Sequence, residues 1–359
     1  MRCAIIAMVV TLVFAATAGA AEQQRPAAFP ALESVLRSVK EADFCGETVP
    51  LHIVEVRERF EKDLLLMLWD RAQVILWLKR SSRYFPHIER LLDMREMPQD
   101  LKYIAVIESA LRNQAGSWAG AKGMWQFMPS TGRKYGLTVN RSVDDRRNFY
   151  FATKAALDYL QELYDRFGSW TLAAAAYNMG ENGLERRIRD QETDDFYRLH
   201  LPPETERYVV RAVCARMIME DPERFGFDLR EEDYYPPLRF DRVRVKGRRS
   251  VPLIVVAKAA NTYYKMIKDL NPQLLGDAIP RGNHAVFLPA GATEGFMRRY
   301  NPVLKAYREE NGTDTYHVQP GDSLIRIARR HGVSLKRLRE LNDLSAQCVI
   351  HPGQVLRLE

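Results

Sequence analysis

Two stretches near the C-terminus repeat one another at a constant offset of 71 residues, and this constrains the architecture more than any other feature of the chain. Leu253, Val256, Ala257 and Leu270-Asn271-Pro272 recur as Leu324, Ile327, Ala328 and Leu341-Asn342-Asp343. Alternating residues precede each set (Val243 and Val245; Tyr316 and Val318), and a short apolar run follows it (Val286-Phe287-Leu288; Val355-Leu356-Arg357-Leu358). Alternation reads as strand, and spacings of three and four read as helix. Each unit is therefore expected to run strand, helix, helix, strand. Tyr234-Tyr235-Pro236-Pro237, just upstream, marks a linker. Everything before it must build a core of its own.

That earlier part is helical in pattern. Leu64, Leu65, Leu68, Ala72, Ile75 and Leu76 recur at helical spacing between Leu32 and Leu92, with Pro86 and Pro98 as punctuation. No period of roughly 34 residues supports a helical repeat array. A second block runs from Pro98 to Phe225. Pro98 suits the first turn of a helix. Leu101, Ile104, Ala105, Glu108 and Leu111 then share one face. A loop with Gly116, Gly120 and Gly123 follows. Ala156, Leu160, Leu163 and Phe167 mark another amphipathic helix, and the small apolar run Leu172 to Tyr177 suits a helix packed closely on others.

At 359 residues, with 46% hydrophobic and 28% charged, the chain has room for about two globular domains and is not disordered. Arg2, the apolar run Ala4 to Ala16 and Thr17-Ala18-Gly19-Ala20 read as a secretory signal cleaved after Ala20 or Ala21. The run is shorter than the ~20 residues of a spanning helix. A retained anchor is the alternative. Cys3 precedes the run and is misplaced for lipid attachment. The formal charge of +7 is spread along the chain and forms no single basic stripe. Together with export, this argues against nucleic acid as a partner. Cys45, Cys214 and Cys348 contain no CxxC and form neither a metal pattern nor a disulfide framework. A buried free thiol is expected for each, with one pair left open. No metal and no cofactor is expected.

Glu108 is the residue with the most chemistry. A carboxylate on an otherwise apolar helix face loses solvation, and its pKa rises. A general acid working near neutral pH needs that. Alternatively Glu108 reaches solvent or pairs with Arg112, four residues on. Spacing alone leaves these two readings evenly matched. Three clusters shift the balance: Ser117 to Gln126, Ala174 to Gly180, and Leu201 to Tyr208. Gln126, Tyr177 and Asn178 offer hydrogen bonds to sugar hydroxyls and amides, and Trp and Tyr offer stacking faces. Trp125 and Tyr177 would also be at home in a core, and Asn178 before Gly180 fits a helix cap.

Glu108-Ser109, Gly123-Met124-Trp125-Gln126 and Ala176-Tyr177-Asn178, in that order, resemble the lytic transglycosylase family with the goose-lysozyme-like fold, over roughly residues 84–227. Trp125, Leu201 to Tyr208, Phe44-Cys45-Gly46 and Val49-Pro50-Leu51 fit one branch of that family. The family usually has Gly in place of Asn182, so the loop after Asn178 is expected to differ in shape.

The resemblance implies a mainly α fold, with a lysozyme-like helical catalytic domain and small βααβ modules at the C-terminus. It implies one catalytic carboxylate, Glu108, and substrate contacts from Ser117, Met124, Gln126, Tyr177, Asn178 and Tyr208. The implied reaction cleaves the β-1,4 bond between N-acetylmuramic acid and N-acetylglucosamine of peptidoglycan and leaves 1,6-anhydro ends. Ordinary glycosidases use two carboxylates. Asp144 and Asp145 are the nearest downstream candidates, but Asp144-Asp145-Arg146-Arg147 reads as a charged turn or helix start. Tyr316-His317-Val318, Gly321-Asp322-Ser323-Leu324, Ile327-Ala328, Leu341-Asn342 and Pro352-Gly353 resemble a LysM module. Gly321, Asp322, Ser323, Leu324 and Asn342 would there contact chains containing N-acetylglucosamine. The earlier unit looks like a degenerate copy, with Gly247-Arg248-Arg249-Ser250 in place of the Gly-Asp-Ser turn, and a structural role is expected for it.

The expected organisation is a signal peptide at 1–20, a helical segment at 30–95, the catalytic domain at 96–230, the degenerate unit at 240–290 and the LysM module at 314–359. The expected partner is peptidoglycan glycan, met in the periplasm at the cell wall. Peripheral membrane association stays open, and no protein partner is indicated. Two rival readings remain: a hydrolysing muramidase on the same scaffold, and a non-catalytic cell-wall binder. The presence of Glu108 speaks against the binder.

Overall fold

The apolar spacing between Leu64 and Leu76 continues through a break that the pattern does not reveal. In the computed structural model, which describes residues 30–311, 315–345 and 347–358, the chain turns at Asp70. The expected signal segment and Cys3 lie outside these residues. Helix α1 (Leu32–Ser38) leads to a hairpin, β1 (Asp43–Phe44) and β2 (Glu47–Thr48), turned by Cys45 and Gly46 at positive φ. Helices α2 (Val54–Trp69) and α3 (Arg71–Asp93) follow. The Asp70 carboxylate caps α3 by accepting from the Gln73 amide at 3.2 Å. Beyond the break the buried face is Val74, Trp77 and Leu78, whereas Ala72 is exposed. Helix α3 runs straight through Pro86, which therefore does not end an element.

A 3-10 turn (Gln99–Leu101) opens α4 (Lys102–Ser109), followed by α5 (Pro129–Lys134), α6 (Phe149–Phe167), α7 (Trp170–Met179), α8 (Glu181–Gln191) and α9 (Pro203–Glu220). Helix α9 is the axis of this body, and α2, α4 and α7 all pack on it. Ala173, Ala174, Ala175 and Ala176 of α7 are fully buried, so the backbones of neighbouring helices approach closely. One apolar core runs from Val35 to Phe227. Each fully buried Leu or Ile in it, such as Leu64, Ile88 and Leu160, contributes about 1.5–3 kcal/mol relative to exposure.

The C-terminal repeat is present as expected. The first unit comprises β3 (Phe240–Gly247), β4 (Val251–Pro252), α10 (Leu253–Ala259), α11 (Tyr264–Leu270), β5 (Ala278–Ile279) and β6 (Gly282–Pro289). The following helix, α12 (Phe296–Asn311), buries Phe296 and Tyr300 in the same core. The second unit has β7 (Thr315–His317), α13 (Leu324–His331), α14 (Leu335–Leu341) and β8 (Val355–Arg357) around a separate core. Strands β3 and β6 pair antiparallel, as do β7 and β8. Asn271 and Asn342 do the same work in the two copies. Each side-chain amide donates to the carbonyl four residues back (Ile267; Leu338) and to the last strand (Phe287; Arg357), and its oxygen accepts from that strand's amide.

The stretch Tyr234 to Pro237 is not a free linker. The Tyr235 amide donates to the Lys79 carbonyl at 3.0 Å, the Ser82 hydroxyl donates to the Tyr235 carbonyl at 2.6 Å, and the Lys79 and Arg83 cations lie over the Tyr235 ring. The segment is docked along α3. The three cysteines are free: Cys214 is buried, but Cys45 and Cys348 are only half-buried. No helix among the described residues is long and apolar enough to cross a membrane.

Candidate active site

Helix α4 ends one residue beyond Glu108, and that ending shapes the site. Ala110 and Leu111 both adopt left-handed backbone, with φ of 55° and 58°. For non-glycine residues this costs roughly 1–2 kcal/mol each. Three contacts hold the turn. The Arg80 guanidinium donates to the Ala110 carbonyl at 2.9 Å, Leu111 is buried, and the Ser109 hydroxyl accepts from the Arg112 amide at 3.2 Å. Leu111 is therefore not on the α4 face where the spacing placed it. The alternative partner for Glu108 is also engaged elsewhere, because Arg112 donates to the Ser109 carbonyl at 3.1 Å.

Glu108 keeps partial access to solvent, but the surrounding protein strips most water from its carboxyl and pushes its pKa up to about 7. Two influences work against that rise. The Tyr208 hydroxyl donates to Glu108 Oε1 at 2.5 Å, and the Arg211 cation lies near. Glu204 adds to the rise by like-charge repulsion. Burial next to Glu108 also holds the Tyr177 and Tyr208 phenols well above their usual range, so both stay protonated as donors.

The other expected contacts are engaged with their own surroundings. The Tyr177 hydroxyl, at the end of α7, donates to the Trp125 carbonyl at 2.7 Å and so ties the glycine-rich loop to the helix. The Trp125 indole is fully buried and donates to the Thr153 hydroxyl at 3.0 Å. Asn178 does not cap its helix with its side chain. Its oxygen accepts from the Thr205 hydroxyl at 2.7 Å. Gln126 sits at φ 47° and donates to the Gly123 carbonyl at 2.7 Å. Ser117 lies on the outer turn of the same loop, accepting from the Ala121 amide at 3.1 Å. Met124 belongs to the same loop, and its side chain is buried in the core. Asn182 forms part of helix α8 and accepts from Arg166 at 3.2 Å.

Sequence reasoning missed Arg146, Thr205 and Arg211. The last two were readable, since Thr205, Tyr208 and Arg211 recur every three residues on α9 and so share a face. Arg146 was read only as part of a charged turn. It is buried, paired with Asp144 through two 2.8 Å bonds, and donates to the Gly120 and Phe127 carbonyls at 2.9 Å. Asp144 is thereby committed to Arg146, away from Glu108.

Residues 87–199 match the Transglycosylase SLT domain, 239–305 the LysM-like domain of lytic transglycosylase MltD, and 316–359 the LysM domain. The chain is 32% identical over 329 residues to membrane-bound lytic murein transglycosylase D of Escherichia coli K12, covering 88% of this chain and 72% of that protein. The chain belongs to this family. A tributyltin chloride resistance protein of Alteromonas is 32% identical over 117 residues, which is 32% of this chain and 56% of its own. The 70 kDa soluble lytic transglycosylase of Escherichia coli aligns with 44% of this chain and 28% of its own at 22% identity and a TM-score of 0.32.

As a lytic murein transglycosylase D relative, the chain joins a helical, lysozyme-like catalytic domain to LysM-type modules. In the terminal module the expected glycan contacts have structural roles first. Gly321 turns at φ 82°. Asp322 accepts from the Tyr316 hydroxyl at 2.6 Å and the Gln319 amide at 2.9 Å, and Ser323 caps α13. Leu324 is buried, and the Asn342 amide is fully used by backbone partners.

Proposed function

We propose that Glu108 is the single acid and base of a lytic transglycosylase that cleaves peptidoglycan glycan strands. The carrying observation is a desolvated carboxyl, with a pKa of about 7, held by Tyr208 at 2.5 Å. At that pKa both protonation states are accessible near neutrality, as one group serving twice requires. Protonated Glu108 gives its proton to the glycosidic oxygen as that bond breaks. The substrate's own acetamido oxygen bonds to C1 of the muramyl residue and forms an oxazolinium. The carboxylate left behind takes the proton of the muramyl C6 hydroxyl. Its oxygen then bonds to C1 and expels the acetamido group, giving the 1,6-anhydro end and restoring protonated Glu108.

This route needs no second carboxylate, and Asp144 is held by Arg146. Tyr177, Gln126, Asn178 and the outer turn at Ser117 would orient the sugar and its acetamido group. The terminal module would hold the enzyme on insoluble glycan through the turn Gly321-Asp322-Ser323. Such an enzyme works outside the cytoplasm, at the wall in the periplasm, and residues 1–20 would direct its export.

Mass spectrometry of muropeptides released from purified sacculi in oxygen-18 water tests the route. Anhydro ends without the label are expected. Labelled reducing muramic ends would overturn it in favour of a hydrolysing muramidase.

A further inference from the structure

The loop that follows the second helix has opposite surroundings in the two βααβ units. In the terminal module, Asp343, Leu344 and Ser345 follow Asn342; Asp343 and Ser345 are exposed, and Leu344 is half-buried against the module's own core. In the earlier unit the matching residues, Pro272, Gln273 and Leu274, follow Asn271, and Gln273 and Leu274 are each 2% exposed. What covers them is the catalytic domain.

Val143, from the loop before α6, is inserted into the core of the earlier unit. On either side of it the two chains exchange backbone bonds. The Asp144 amide donates to the Gln273 carbonyl at 2.8 Å, and the Leu275 amide donates to the Ser142 carbonyl at 3.0 Å. The Gln273 side chain completes the junction. Its oxygen accepts from Asn148 at 3.0 Å, and its amide donates to the Asn271 oxygen at 3.2 Å, all in buried surroundings. Buried polar groups paired on every side fix one geometry, because any slip leaves a desolvated donor or acceptor unmet.

The grip continues into the active site. Gln273 holds Asp144 through its backbone, and Asp144 holds the Arg146 guanidinium. Arg146 donates to the carbonyls of Gly120 and Phe127, the two ends of the loop that contains Gly123 to Gln126. Gly123 passes so close that a Cβ there would meet the Arg146 carbonyl oxygen. From this loop the Trp125 carbonyl accepts from Tyr177, whose phenol senses the Glu108 charge.

We propose that Gln273 of the LysM-like unit is a positioning residue for the substrate loop Gly120–Phe127: its backbone carbonyl holds Asp144, and its side chain holds Asn148, whose amide closes the Asp145–Arg147 turn that carries Arg146, so that this unit braces the catalytic domain. The proposal rests on the reading of Gly123–Gln126 as a substrate-facing loop, but its physical part can be tested without turnover.

The test uses the full chain with Gln273→Ala, and Gln273→Leu as a second variant that keeps the buried volume; both remove the side-chain bond to Asn148, which steadies the turn carrying Arg146, and leave the backbone bond to Asp144 in place. Hydrogen exchange is followed at the Lys122 and Gly123 amides, which donate to the Phe127 and Ala115 carbonyls. Below the melting temperature, exchange at these amides is expected to rise about tenfold, while the α4 amides stay protected. With a short soluble glycan, KM is expected to rise about tenfold and kcat to fall less than threefold, because a loosened loop loses orientation while Glu108 keeps its surroundings. Faster exchange confined to residues 240–305, with residues 115–127 and KM unchanged, would show Gln273 to be a local structural residue and overturn the proposal. If the exchange arm behaves as expected but wild-type products are hydrolytic, the brace stands and the transglycosylase reading fails.

Discussion

The Tyr208 hydroxyl lies 2.5 Å from Glu108 Oε1 and donates to it, so the phenol stabilises the charged form of the very acid that burial keeps neutral. Tyr208→Phe removes that donor, and the Glu108 pKa must then rise further. The basic limb of kcat/KM, set in the free enzyme by loss of the Glu108 proton near pH 7, should move up by about one pH unit, the scale of a hydrogen bond to a charge. A limb that stays in place would separate Tyr208 from the acid.

Glu108→Gln should reduce muropeptide release by about 10²–10⁴-fold, because the amide of similar size cannot give up a proton. The same change should stabilise the fold above neutral pH. The native pKa of Glu108 is raised, so the folded state binds more protons than the unfolded one between the ordinary carboxylate value, 4.5, and about 7. Stability therefore falls as pH rises through that window, by roughly 3–4 kcal/mol in total. Thermal melts of Glu108→Gln and wild type should coincide near pH 4 and diverge by pH 8 with the variant higher. Divergence in the opposite direction would mean that the carboxylate is stabilised where it sits.

Gly123→Ala should be disabling through backbone alone. The residue has φ of 84°, and an added Cβ would come within 1.7 Å of the Arg146 carbonyl oxygen, which is backbone and cannot swing aside. A loss of at least about 3 kcal/mol is expected, measurable as a lowered urea midpoint. A wild-type midpoint would show that the loop has room to retreat.

A chain ending at Thr313 should still cleave short soluble glycans but pellet poorly with sacculi, because tethering raises the local substrate concentration. Arg326, Arg329, Arg330, Lys336, Arg337 and Arg339 lie on the removed module, so retention of the full chain should weaken with salt. Unchanged pelleting of the shortened chain at moderate salt would place binding elsewhere, in the earlier LysM-like unit or the catalytic groove.

Periodicity made the helices around Glu108 and both βααβ units legible, because burial imposes spacing on sequence directly. The break at Asp70, the hairpin at Cys45-Gly46 and the left-handed pair Ala110-Leu111 were not legible. The last two are held by tertiary partners, since the Cys45 amide donates to Asp100 and Arg80 holds the Ala110 carbonyl from a distant helix, while the Asp70 cap is a local signal that the continuing apolar spacing masks. The Glu108 carboxyl was visible as a charge on an apolar face. Its partner Tyr208 came from the family motif rather than from spacing, and Arg146 was hidden, since a buried Asp–Arg pair and an exposed charged turn are written in the same letters.

The seam at Val143 determines where this chain can be divided. Separating the catalytic helices from the LysM-like unit at Pro236 or Pro237 would leave Val143 without its pocket, Asn148 without Gln273, and the Arg83 carbonyl of α3 without the Leu238 amide. Each half would carry a sticky, unsatisfied scar. The terminal module has its own core and its own paired strands. The part of this chain that can be removed or exchanged without opening a core therefore begins after residue 311, and the catalytic helices and the LysM-like unit stay together as one body.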